Sequence, residues 1–164
     1  MPLAFRHSAA PLAPACLGLL LGLAAGSPAV MAAPQCTYLQ PIGGDGRSPI
    51  VSKQVGPARL LGKTNWDTDF IVDRPYGSYR FIFTANSSSP AAIYPVSGFM
   101  KFTDGTSLRL FEETIRPKVG ASRTFGPFPA VPGKTESQMN VKVGSASEPG
   151  ALGHSYLVSV QGCR

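Results

Sequence analysis

Residues 98–111 read GFMKFTDGTSLRLF. Asp104-Gly105 stands between two apolar runs, and Gly105 admits the positive φ that a tight hairpin turn requires. The stretch therefore predicts strands near Val96–Phe102 and Ser107–Thr114 that pair directly with each other. Alternation extends this reading along the chain. In SYRFIF (residues 78–83), Tyr79, Phe81 and Phe83 face one way and Arg80 and Ile82 the other. In QMNVKV (138–143), Met139, Val141 and Val143 alternate with Gln138, Asn140 and Lys142. In SYLVSV (155–160), Tyr156, Val158 and Val160 alternate with Leu157 and Ser159. Each has one large apolar face, which suits an antiparallel sheet packed on one side. Thr37–Gln40, Ile50–Gln54, Trp66–Val72 and Ser122–Phe125 are shorter candidates, for eight or nine strands in all. Glycine, proline and serine separate them, and no long helical period survives between. The expected fold is all-β, an antiparallel two-sheet sandwich, with a barrel as its competitor. Trp66 is the expected core anchor. Pro95 predicts that its strand is an edge there or begins at Val96, because proline cannot donate to a ladder.

The N-terminus reads differently. MPLAFRH carries Arg6, a small and apolar run follows to Ala25 around LGLLLGLAA, and Gly26, Ser27 and Pro28 end it. This is the pattern of a secretory signal peptide. Val30 and Ala32 suit the minus-three and minus-one positions, which places cleavage after Ala32; a cut after Ala33 puts Met31 at minus three and Pro34 just past the bond. Residues 1–32 are thus a signal peptide and residues 33–164 a single domain. The apolar core is shorter than the roughly 20 residues that span a bilayer, so the cleaved chain is not expected to be an integral membrane protein. The expected location is secreted or periplasmic. Of three cysteines, Cys36 and Cys163 remain after cleavage. In an oxidising compartment they are expected to pair, closing nearly the whole domain. Loop-closure entropy puts the stabilisation at roughly 5 kcal/mol as an upper figure.

The run YRFIFTANSS, VSGFMKFTDGTSLRLF and IRPKVGASRTF resembles secreted bacterial sandwich domains of the immunoglobulin-like or fibronectin-like kind. A strand ends in an Asn-Ser loop, a hairpin turns on Asp-Gly, and a Pro-x-x-Gly-x-x-x-x-Phe segment follows at Pro117, Gly120 and Phe125. The likeness covers Tyr79 to Phe125, about a third of residues 33–164. It implies the immunoglobulin-like sandwich, a fold that hosts many functions. The end-to-end cysteine pair differs from the disulfide of antibody domains, which joins interior strands.

Chemistry is sparse. His154, in GHSY, is the only histidine after Ala32, and nothing in the sequence marks a nucleophile or orienting acid for it. With both cysteines committed, the common zinc sets are excluded. Calcium needs only oxygen, and WDTDFIVD offers Asp67, Asp69 and Asp73 on one strand face with Ile71. Glu112 and Glu113 are neighbours that point to opposite faces of a strand, so they cannot form a glycosidase pair together; Glu136 and Glu148 sit in loop-like surroundings. The net charge of +6 falls by one when Arg6 is removed. Arg80, Lys101, Arg109 and Lys142 form a basic stripe if their strands share a sheet. Without interleaved aromatics the stripe does not read as a nucleic-acid site. The leading expectation is a non-enzymatic binding or structural module of the cell envelope, with an envelope protein or glycan as partner. Its recognition loops are expected at Asn86–Ala92, Phe128–Glu136 and Ser145–Gly153. The alternatives are a small secreted hydrolase using His154 or a carboxylate pair, and a calcium-dependent adhesion module.

Overall fold

A computed structural model describes residues 33–54, 67–87, 93–144 and 155–164. The expected signal peptide, residues 1–32, and the expected core anchor Trp66 lie outside the described residues. Nine strands follow in order: β1 (Cys36–Tyr38), β2 (Val51–Gln54), β3 (Asp67–Ile71), β4 (Ser78–Ala85), β5 (Tyr94–Phe102), β6 (Ser107–Ile115), β7 (Ser122–Pro129), β8 (Glu136–Val143) and β9 (Ser155–Cys163). All described pairings are antiparallel. One sheet runs β1-β9-β4-β7, with β2 also on β9, and the other runs β3-β8-β5-β6. Among the described residues there is no helix, and the two sheets pack as a sandwich.

The β5–β6 hairpin turns where Asp104-Gly105 predicts. Gly105 has φ +81°, and the Asp104 carboxylate accepts from the Thr106 amide at 2.9 Å, closing the turn locally. Alternation sets the core. Tyr79, Phe81, Phe83 and Ala85 of β4 are buried, as are Tyr156, Val158 and Val160 of β9. They meet Phe70 of β3, Tyr94, Val96 and Met100 of β5, and Met139, Val141 and Val143 of β8.

Pro95 sits inside an interior strand, because β5 extends to Tyr94 and lies between β6 and β8. The β5–β8 register ends at Val96–Val143, and the Pro95 carbonyl accepts from Gly144 at 2.7 Å. The N–H and C=O of one strand residue point to the same side. The missing donor therefore faces the place where β8 has already ended.

The lateral sides of the sandwich close by two different means. On one, residues 35–42 pass from sheet to sheet. Gln35 and Arg164 exchange amide bonds of 3.2 and 3.0 Å, and Leu39 N–H donates to Val160. One and three residues on, Ile71 donates to Gln40 at 2.9 Å and Ile42 donates to Asp69 at 2.8 Å, which caps the edge of β3. Cys36 and Cys163 are register partners in a narrow pair with Cα atoms 4.0 Å apart, and they form the disulfide. Narrow antiparallel pairs bring Cα atoms to about 4.5 Å, which is why a bridge fits here.

On the other side Phe111 of β6 joins the two edge strands. Its ring stacks on Phe125 at 4.2 Å and on Phe128 at 5.6 Å, both in β7. Residues three apart in a strand ordinarily face opposite ways. The bulge between the Tyr79–Phe128 and Phe81–Phe125 pairs turns both rings inward. The Phe111 ring lies over Gly98, where an added Cβ would collide with the ring at Cε1. Gly98→Ala should therefore cost about 1–3 kcal/mol by displacing this ring. Urea denaturation measures it, and an unchanged midpoint would show that Phe111 is free to move.

Candidate functional site

A cleft of about 680 Å³ opens at the disulfide end of the sandwich. Its floor comes from Ile71, Val72 and Pro75, where β3 runs into the β3–β4 connection. The opposite wall is Lys134–Gln138, where the β7–β8 connection enters β8, and Thr103 of the hairpin turn completes it. Backbone bonds fix these walls together: Val72 donates to Ser137 at 3.0 Å and Thr103 to Thr135 at 3.0 Å.

Each charged group in the cleft has a partner. The Asp73 carboxylate receives Arg74 at 2.9 Å and the Tyr76 hydroxyl at 3.0 Å. The Arg74 hydrogen bond, and then that of Tyr76, hold Asp73 below the usual carboxylate range. Burial, and then Asp73, push the Tyr76 hydroxyl up. The Tyr76 ring lies on Gly162 with the Arg164 guanidinium 5.8 Å from its centre, so the C-terminal end of β9 braces this wall. Lys134 reaches Asp104 and the Thr106 hydroxyl, each at 2.8 Å, with its ammonium 5.0 Å above the Phe102 ring. The Glu136 carboxylate accepts from Val131 N–H at 3.1 Å. Behind the cleft, burial first and Glu136 second push the Tyr79 hydroxyl well above its ordinary range. Glu136 lies close enough to act on it by charge, yet the buried hydroxyl has no partner with ordinary hydrogen-bond geometry.

The arrangement is suited to binding. Its lining joins the apolar Ile71, Val72 and Pro75 to two cations, Arg74 and Lys134, two carboxylates, Asp73 and Glu136, and the polar Thr135 and Gln138. The Ser137 hydroxyl donates to the Lys101 carbonyl at 3.1 Å. Of the loops expected to recognise a partner, Phe128–Glu136 contributes here. Asn86–Ala92 leaves from the opposite end of the sandwich and is described as far as Ser87; Ser145–Gly153 lies outside the described residues.

The aspartates of WDTDFIVD separate. Asp67 and Asp69 share the outer face of β3, whose Thr68 and Phe70 point inward. Asp69 accepts from Lys101 at 2.7 Å and from the buried Asn140 at 2.9 Å, making one clamp across β3, β8 and β5. Asp73 belongs to the end cleft with Arg74 and Tyr76. Among the described residues no group of three or more acids, histidines or cysteines is placed to hold one ion.

The basic stripe forms only in part. Arg80 lies on β4 in one sheet, whereas Lys101, Arg109 and Lys142 lie on β5, β6 and β8 in the other. Sheet membership depends on topology, which the local pattern does not carry. Lys101 is bonded to Asp69 and Arg109 to Glu112. Glu113 instead pairs with Arg123 of β7 at 3.1 Å, so the neighbouring glutamates diverge to different partners. His154 and Glu148 lie outside the described residues. Lys53, which the sequence did not mark, lines a second cleft of about 300 Å³ and donates to the Asp67 carbonyl at 2.6 Å. Burial lowers its pKa against the opposing charges of Asp67 and Asp69.

No family model, curated protein or solved structure matches this chain.

Lys134, and then Thr106, hold Asp104 far below its ordinary 3.8. A depressed carboxylate contributes stability above its unfolded pKa and loses it as pH falls towards the folded value. Stability should therefore drop from about pH 5 down to pH 2, and Asp104→Asn should be less stable at pH 7 but flatter across that acid window. Thermal melts at fixed ionic strength test this; an acid limb unchanged by the substitution would assign it to other carboxylates.

Proposed function

We propose that the protein is a non-enzymatic, extracytoplasmic module that binds a partner, a protein or glycan, at the cell envelope. The observation that carries this reading is the Cys36–Cys163 disulfide between the first and last strands, a bond that persists in oxidising compartments. The signal-like residues 1–32 agree with it, and no helix among the described residues is long and apolar enough to cross a membrane. Recognition belongs to the end cleft, whose walls are tied to both sheets by backbone bonds and whose lining mixes apolar floor with polar rim. In this reading the sandwich is of the immunoglobulin-like kind. Two features support that: Gly120 takes φ +77° in the turn after Pro117, and Phe125 is buried five residues later.

Intact mass of the exported protein, with thiols labelled before and after reduction, tests the compartment. The expected chain begins near Ala33 with both thiols masked until reduction. A full-length chain with free thiols overturns the extracytoplasmic reading.

Capture from envelope extracts tests the cleft. Arg74→Ala and Gln138→Ala should each weaken capture about tenfold, as truncation of a contributing contact does, with melting temperature nearly unchanged. Equal capture by both variants would move the binding site elsewhere.

A further inference from the structure

We propose that residues 36–42 are an exchangeable strand, and that the groove they occupy accepts the same segment from a second copy of this chain. Each of the other strands keeps a partner without them. β9 keeps β4 along one edge and β2 on the other, and β3 keeps β8. What the segment adds is a strip laid across both sheets. It meets the Val160 carbonyl in one sheet and the Asp69 carbonyl and Ile71 N–H in the other, with Leu39 only 2% exposed between them. These groups define a groove with a fixed register and a single apolar socket.

The connection to the rest of the chain is built to swing. Residues 43–48 are exposed, and Gly43 and Gly46 take φ +77° and +70°. No side chain or backbone atom lies within 4 Å of where a Cβ would stand at either. A hinge of this kind can extend without breaking the core. A second copy's segment would then make the same contacts by identity, and this is why exchange of a terminal element costs little beyond association. Charge does not oppose it, because Cys36–Ile42 carries no ionisable group other than Tyr38 and the cysteine itself.

The disulfide is the lock. It joins the first residue of the segment to β9, so the strand cannot leave while the bond is closed. A small thiol opens it without net oxidation or reduction. A thiolate attacks the Cys163 sulfur, the S–S bond breaks, and the electron pair leaves on Cys36, which takes a proton. The deprotonated Cys36 of a second copy then attacks the mixed disulfide, forms a Cys36–Cys163 bond between chains and expels the thiolate. The thiol is returned and acts as catalyst.

The test uses the full chain with Cys16→Ser, so that Cys36 and Cys163 are its only cysteines. Equal amounts of nitrogen-15-labelled and unlabelled protein are incubated at high concentration with catalytic reduced glutathione, alkylated, sized and digested. The expected products are a dimer and a Cys36–Cys163 disulfide peptide with one labelled and one unlabelled half. An excess of synthetic peptide 33–44 should suppress that product about tenfold, and the same peptide carrying Leu39→Asp should not, because it loses the buried anchor. Isotopically matched Cys36–Cys163 pairs in a monomer would overturn the proposal. So would mixed pairs confined to Cys36–Cys36 or Cys163–Cys163, or equal suppression by both peptides, since each would mean thiol contact without strand seating.

Discussion

A two-sheet sandwich has two open flanks, and the way residues 35–42 close one of them governs much of this molecule. A flank left open would present the edge of β3 with its polar backbone unpaired, a template for association with another chain. Here Gln40 and Ile42 occupy that edge, and Lys53 reaches the Asp67 carbonyl beyond them. The same short stretch is stitched to β9 in the other sheet through Gln35, Leu39 and the disulfide. One segment therefore holds the sheets together laterally, while the core holds them face to face. Its seven residues from Cys36 to Ile42 could not maintain this alone, since an ordinary terminal strand frays. The covalent link removes that freedom where the strand begins.

The opposite flank uses side chains where the first uses backbone. Phe111 is the hinge pin: its ring lies on Gly98 within its own sheet and stacks on Phe125 and Phe128 of the other. This requires three departures from regular strand geometry. A glycine stands where any Cβ would collide, a register shift on the β5–β6 pair aims Phe111 inward, and a bulge in β7 brings two rings to one side. The edge strands then need other protection. β7 carries Pro127 and Pro129, while β6 presents Arg109, Glu112 and Glu113 in ion pairs, both recognised ways of blunting an edge.

Local pattern made the strands legible. Period-two alternation in SYRFIF, QMNVKV and SYLVSV names the inward residues of β4, β8 and β9, and Asp104-Gly105 names the hairpin, because each signal lies within a few bonds of its effect. The pairing of Cys36 with Cys163 follows from their being the two cysteines of one oxidised domain. What the sequence leaves silent is the assignment of strands to sheets. Arg80 reads like Lys101 and Lys142 as the polar partner in an alternating strand, yet it lies on the other face of the sandwich. Pro95 reads as an edge signal because its neighbours in the ladder are invisible; only the end of β8 opposite it makes an interior position tolerable. The end cleft is silent for the same reason. Arg74, Thr103 and Lys134 are each unremarkable within their own loops, and topology alone gathers them. Asp69 was visible as an outward carboxylate, while its partner Lys101 stands 32 residues away.

The flank closed by residues 35–42 and the end cleft are mechanically connected. Tyr76 rests on Gly162, next to Cys163, and also donates to Asp73 in the cleft wall. Arg164, which exchanges amide bonds with Gln35, also lies over that ring. The segment that closes the flank and the wall that lines the cleft thus share the last three residues of β9 and the C-terminus as a common support. A change in how residues 35–42 are seated reaches the cleft by two routes, through Arg164 and Gly162 to Tyr76 and through Gln40 to Ile71. An occupant of the cleft pressing on Tyr76 acts on the same support from the other side. Linkage requires that any coupling between them be mutual: a partner that favours one seating of Tyr76 alters the hold on the N-terminal strand by the same free energy as that strand alters the partner's binding.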